Sequence, residues 1–274
     1  MTAEPGANAP ERRRWNDPQW TSLWLERERL TETVTSDLVE RLAPVPGQRV
    51  LEIGSGTGKL AVTVARRVAP DGAVVGADIS ERLVGLAQSR AASEHVGNVT
   101  FVVADAQTDA IDGGPFDVAV SQFGVMFFDQ PAVAFANVAR HVIGGGRLVF
   151  ACWQGVEDNP WHVASALAPY QAPPPPPAPG RRLTGPFALG DRDRVAELLG
   201  SAGWEDIERT PHARTEVVGR AAIVGDDELL FLEVAPTDMA AARAAVGRHL
   251  ARFERADGDL EIPIAFQIFS ARRG

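Results

Sequence analysis

The sequence holds a single cysteine, Cys152, among 274 residues. No intrachain disulfide can form, which suits a reducing compartment. The five histidines are scattered, and with one thiol no metal site is indicated. Basic residues are in deficit: 27 Lys and Arg against 36 Asp and Glu leave a net charge of −9. That balance argues against a nucleic-acid or anionic-membrane surface, which needs clustered positive charge. No apolar run reaches the ~18 residues of a membrane span. The Pro-, Glu- and Arg-rich start lacks the apolar stretch of a secretory signal. The expectation is a cytoplasmic protein, monomer or homodimer, with a small molecule as partner.

Apolar content of 45% and charged content of 23% are ordinary for a globular protein. Residues 1–14 read as a disordered tail, with Arg12-Arg13-Arg14 solvated. Over 15–43, apolar residues recur at helical spacing and include Trp15, Trp20 and Trp24. These rings either staple the segment to the core or wall a ligand pocket as a lid. Over 44–154, strand and helix patterns alternate. Strands are expected at 49–53, 73–78, 99–104, 116–121 and 146–153, and helices at 59–68, 82–93 and 132–141. Near-continuous apolar strands alternating with helices predict an α/β, doubly wound, mostly parallel sheet. Residues 155–187 carry the proline run 173–177 and read as an extended crossing over the active face. Beyond it, a helix is expected at 192–202 and strands at 204–210 and 262–271. Helical segments at 226–234 and 237–255 would form a cap inserted within 211–258.

The segment Val50-Leu51-Glu52-Ile53-Gly54-Ser55-Gly56-Thr57-Gly58-Lys59 reads as a buried strand, a tight turn and a helix start. Glycine tolerates positive φ and lacks a Cβ, so such a loop bends sharply and lies close to a ligand. The following helix aims free N–H groups at the same place. In an open α/β sheet, ligands bind at the carboxyl ends of the strands. Those ends supply Glu52, Asp78, Asp105-Ala106 and Ser121-Gln122-Phe123. Asp78, twenty residues after Gly58, suits a ribose diol, and Asp105 suits an adenine amine. A dinucleotide fingerprint reads G-x-G-x-x-G; here the spacing is G-x-G-x-G with an acid two residues ahead. That acid would repel a diphosphate and attract a cationic amino group. S-adenosylmethionine fits this description, and an NAD-type oxidoreductase remains the rival.

The same residues carry a family resemblance. Val50-Leu51-Glu52-Ile53-Gly54-Ser55-Gly56-Thr57-Gly58 resembles the first motif of class I S-adenosylmethionine-dependent methyltransferases. Phe116-Asp117-Val118-Ala119-Val120-Ser121 resembles their fourth strand, and residues 137–149 the helix-turn-strand after it. The likeness is nearest to the small-molecule branch that includes ubiquinone/menaquinone enzymes. Gly145 departs from it, standing where the family usually has proline. The resemblance implies a Rossmann-like fold with an antiparallel last strand, and methyl transfer from S-adenosyl-L-methionine to an O, N or C acceptor. It implies that Glu52, Gly54, Ser55, Gly56 and Gly58 hold the methionine part. Asp78 and Ile79 would hold the ribose and pack on adenine; Asp105 and Ala106 would fix the adenine edge. Ser121, Gln122 and Phe123 would line the methyl channel. Trp20, Trp24, Phe123, Met126 and Trp161 are candidate acceptor-pocket residues, and His162 is the candidate base. A non-methylating protein of the same fold stays open as an alternative.

Overall fold

In the computed structural model, which describes residues 8–171, 185–220, 223, 229 and 234–274, the sheet grows outward from Arg49–Ile53 (β1). Arg49 is exposed and the next four residues are buried, as a central strand covered on both faces requires. β1 lies parallel between Ala73–Asp78 (β2) and Phe116–Gln122 (β4). Val99–Val103 (β3) and Val142–Trp153 (β5) extend the parallel set. Trp204–Val218 (β6) is the outer strand, and Leu260–Arg273 (β7) runs antiparallel between it and β5. The order is β3-β2-β1-β4-β5-β7-β6. The expected doubly wound sheet with an antiparallel last strand is therefore present. The strand order reverses between β1 and β4, where such sheets bind ligands.

Three helices precede the sheet: Ala9–Asn16 (α1), Pro18–Arg27 (α2) and Glu32–Leu42 (α3). The tail expected over 1–14 is thus a helix from residue 9. The aromatic core of the lid explains it. The Trp15 ring meets Trp20, Trp24 and Phe127 edge-on, with centroids 6.0, 5.2 and 5.4 Å away. Glu11 is buried beside this cluster and accepts from Arg14 at 3.0 Å.

Lys59–Val68 (α4), Glu81–Ser93 (α5) and Pro131–His141 (α6) cover the parallel strands. α4 buries Leu60, Ala61, Val64, Ala65 and Val68 against them. Ser80 starts α5 by accepting the Leu83 N–H at 3.2 Å. The Gly144–Gly146 turn lies within β5, as a bulge where the register jumps from Phe116↔Val142 to Val118↔Arg147.

Past β5 come the short Ala164–Leu167 (α7), Arg192–Ser201 (α8) and Met239–Leu250 (α9). The cap expected within 211–258 needs correction. Residues 211–218 are strand, paired in β6 with β7 as far as Val218↔Leu260. Pro211 hides this in the sequence, since proline disfavours strands; an outer strand tolerates it on its unpaired side. Most of the helical segment expected at 226–234, and residues 172–184 of the proline-rich crossing, lie outside the described residues. No helix among the described residues is long and apolar enough to cross a membrane.

Candidate cofactor site

The loop after β1 turns through Gly54, Gly56 and Gly58, at φ of +67°, +52° and +80°. Asp78 at the end of β2 holds it. One carboxylate oxygen accepts the Gly56 N–H at 2.8 Å and the other the Ser80 N–H at 2.9 Å. Asp78 therefore joins the glycine loop to the start of α5. Burial raises its carboxyl above the usual range, and these backbone hydrogen bonds oppose the shift.

Glu52 is buried at the end of β1. Burial first, then the charge of Asp78, pushes its carboxyl well above the usual range. Its Oε2 has no hydrogen-bond partner among the described residues, nor does the Ser55 hydroxyl. A buried acceptor without a donor costs about 1–3 kcal/mol, so this corner is built for a ligand that donates.

Two joined compartments open at the carboxyl ends of β1, β2 and β4. The larger is a cleft partly open to solvent, lined by Asp78, Ile79, Leu83, Asp105, Ala106 and Phe123, among others. α1 adds Asn8, Glu11 and Trp15 to its wall, and Phe127 and Phe128 complete it. The smaller is lined by Glu52, Ser55, Thr57, Glu28, Thr31 and Thr35, together with Lys59 (the chain's only lysine). Trp24, Gly54, Gly56 and Gln122 border both. The 3-10 turn Glu28–Thr31 is tied over the smaller one: the Thr57 hydroxyl donates to Glu28, and Gln122 Nε2 donates to the Thr31 carbonyl at 3.0 Å. Gln122 Oε1 has no partner among the described residues.

Most of the residues expected to bind cofactor meet here; two do not. Ser121 is fully buried, its hydroxyl donating to the Ile53 carbonyl at 2.7 Å and accepting the Gly124 N–H at 3.2 Å. It clamps β4 to β1 and lines neither compartment. Gly58 faces the packing of α5 and β3, where a Cβ would stand 2.7 Å from Phe101 and 2.9 Å from Ala87. Of the expected acceptor-pocket residues, Trp24 and Phe123 line the cleft. Phe123 holds φ of +61° and stacks on Trp153 at 4.4 Å. Trp20 lies behind Trp15, with Arg14 5.5 Å above its ring. Met126 points into the core, and Trp161 donates to Asn159 at 3.2 Å. The His162 ring packs edge-on against Phe187 at 4.8 Å, away from both compartments.

Asn8 and Glu11 were not among the expected site residues; Trp15 was expected as a staple or a pocket wall, and Phe127 and Phe128 as aromatic surface beside the methyl channel or plain packing, and all three line the larger compartment. For α1 a signal existed in Asn8 followed by Pro10, a helix-start pattern.

Chemically, the larger compartment sets Asp78 and Asp105 beside apolar walls, and the smaller sets an unpaired carboxylate oxygen beside hydroxyls. A diphosphate would meet repulsion here. A nucleoside with hydroxyl and amine donors and a cationic tail finds a partner for each group.

Residues 50–146 match the family model described as a methyltransferase domain. The chain is 36% identical over 138 residues to an O-methyltransferase of Aspergillus nomiae, covering 50% of this chain and 59% of that one. It is 38% identical over 105 residues to a ubiquinone/menaquinone biosynthesis C-methyltransferase of Ectopseudomonas mendocina, covering 38% and 41%. The chain spans about half the length of the curated relatives it matches. Its fold is similar to that of the YcgJ protein of Bacillus, with a TM-score of 0.61 at 15% identity over 88% of this chain and 98% of that one.

Proposed function

We propose that residues 50–146, which match the methyltransferase-domain family model, form a class I S-adenosylmethionine-dependent methyltransferase domain, and that the protein transfers a methyl group from S-adenosyl-L-methionine to an O, N or C acceptor on a small organic molecule. The observation that carries the reading is the Glu52 carboxyl, buried beside the glycine loop with its Oε2 lacking a partner among the described residues, where a cationic amino group is the complementary partner. The O- and C-methyltransferase names of its relatives agree with it.

S-adenosylmethionine, when bound, supplies a methyl activated on a sulfonium. The chain's residues bind, orient and exclude water. In this reading Glu52 accepts from the ammonium, Asp78 from the ribose hydroxyls and Asp105 from the adenine amine, while Ile79 packs on the base. Gln122 borders both compartments, at the junction where the methyl would lie, and its Oε1 has no partner among the described residues. Trp24, Phe123 and Phe127 keep that junction dry and favour an apolar or aromatic acceptor. Displacement at an activated methyl needs alignment and desolvation more than proton transfer. We assign no general base, because the candidate His162 lines neither compartment. We place the protein in the cytoplasm, as a monomer or homodimer; its one thiol, buried Cys152, suits a reducing compartment.

Titration calorimetry with S-adenosylhomocysteine tests the cofactor: binding in the micromolar range is expected, and folded protein that gives no heat refutes it. Transfer of a labelled methyl group into metabolites of a cell extract tests the reaction. Competition by NAD(P)H for the same site would favour an oxidoreductase instead.

A further inference from the structure

Asn8 begins α1 but does not cap it. An asparagine in this place normally accepts an N–H from the first helical turn; here the side chain makes no cap bond. It turns across the larger compartment instead. Its Nδ2 donates to Asp105 Oδ1 at 2.9 Å, and its Oδ1 accepts the Asp129 N–H at 3.0 Å. Its backbone adopts φ of +52°, a region asparagine enters more readily than most residues. One buried amide thus ties α1 to the end of β3 and to the turn before α6. At the other end of α1, the Trp15 carbonyl accepts the Ser80 hydroxyl at 2.7 Å. A single extended residue, Asp17 (φ −68°, ψ 128°), separates α1 from α2. Asp17 caps α2 firmly, accepting from Gln19 and Trp20 at 2.9 and 3.1 Å. α1 is therefore a rigid bar with a hinge at one end and a two-bond latch at the other, and Asn8, Glu11 and Trp15 on it cover the compartment that holds Asp105.

We propose that α1 is a gate on cofactor exchange and that Asn8 is its latch, holding Asp105 in position while the gate is shut. The proposal rests on the adenosyl-ligand reading above. Asp105 keeps its second oxygen for the ligand's amine while Asn8 and the Gln107 N–H, at 3.0 Å, hold the first. Because the latch occupies one oxygen of Asp105 only, Asn8 covers the ligand rather than competing with it.

Asn8→Gly removes the amide and keeps the backbone conformation; Asn8→Asp keeps the acceptor for Asp129 and sets two carboxylates face to face. Two readouts separate a gate from a merely structural contact. The first is trypsin cleavage within Arg12–Arg14, which requires α1 to undock. The second is the dissociation rate of S-adenosylhomocysteine, followed by stopped-flow tryptophan fluorescence from the lid. Wild-type protein should be protected at these arginines by the ligand. Both variants should be cut several-fold faster without ligand. They should release it about tenfold faster, the change that losing roughly 1.4 kcal/mol of hydrogen bonding produces. Wild-type binding with unchanged cleavage and release in both variants overturns the gate and leaves the cofactor reading standing. Wild-type protein that is folded yet neither binds nor is protected overturns the cofactor reading, and the gate with it.

Discussion

Gly54 and Gly124 meet backbone to backbone. A methyl group on Gly124 would stand 2.9 Å from the Cα of Gly54 and 2.7 Å from the carbonyl oxygen of Ile53. This contact brings the loop after β1 against the end of β4 and sets the floor of the cleft. Gly124 has φ of −80°, so steric space alone demands glycine there. Gly124→Ala should cost about 1–3 kcal/mol of stability through overpacking and weaken binding of S-adenosylhomocysteine. Urea denaturation and calorimetry measure the two; a neutral substitution would mean the backbones can part freely.

Asp78→Ala removes the acceptor proposed for the ribose hydroxyls and the anchor of the Gly56 and Ser80 N–H groups. Affinity for S-adenosylhomocysteine should fall at least about tenfold. Unchanged affinity would refute the role given to Asp78.

Glu52→Gln should separate stability from function. Burial raises the Glu52 carboxyl above its ordinary 4.5. Between that value and the raised one, the folded protein holds a proton that the unfolded chain has shed. Stability therefore falls as pH rises through this window. The neutral amide escapes the loss, so the variant should melt higher at neutral pH, by about 2–4 °C per kcal/mol gained. The advantage should shrink as pH falls toward 4.5, and the variant should bind the ligand more weakly than wild type. Scanning calorimetry at several pH values checks the first point; a lower melting temperature at neutral pH would contradict it.

His162→Ala should leave methyl transfer within about threefold of wild type once an acceptor is found, because removing a true general base costs about 10²–10⁴-fold. A loss of that larger size would restore His162 as the base.

Cys152 is fully buried, and burial pushes its thiol up to about 12. The thiolate is the reactive form. A water-soluble disulfide reagent in mildly alkaline buffer should leave the native protein unmodified and react with one thiol on denaturation. Rapid reaction of the folded protein would show that the core around β5 opens.

The sheet and the cofactor loop were legible because their signals are local. Each strand is a short apolar run, and Glu52, Asp78 and Asp105 stand at strand ends that a parallel sheet gathers on one edge. The lid was less legible because its partners are distant: Asn8 finds Asp105 across 97 positions, and no local pattern announces the pairing. Ser121 misled because a strand-end hydroxyl can face the cleft or the neighbouring strand, and here the Ile53 carbonyl takes it. Met126 misled through geometry. Val125–Phe127 is a 3-10 turn with three residues per revolution, so Met126 turns inward while Phe127 reaches the cleft. Pro211 concealed the outer half of β6, which only pairing with β7 reveals.

Asn159, the partner of Trp161, also closes the sheet. β5 ends at Trp153, and beyond it the Asn159 side chain accepts the Ala265 N–H at 2.9 Å and donates to the Ala265 carbonyl at 2.9 Å. An amide side chain thus stands in for the next residue of a strand. The ladder is sealed before the proline-rich stretch begins, so that stretch can change in length or composition without unzipping β7. Such changes would leave in place the sheet whose strand ends carry Glu52 and Asp78.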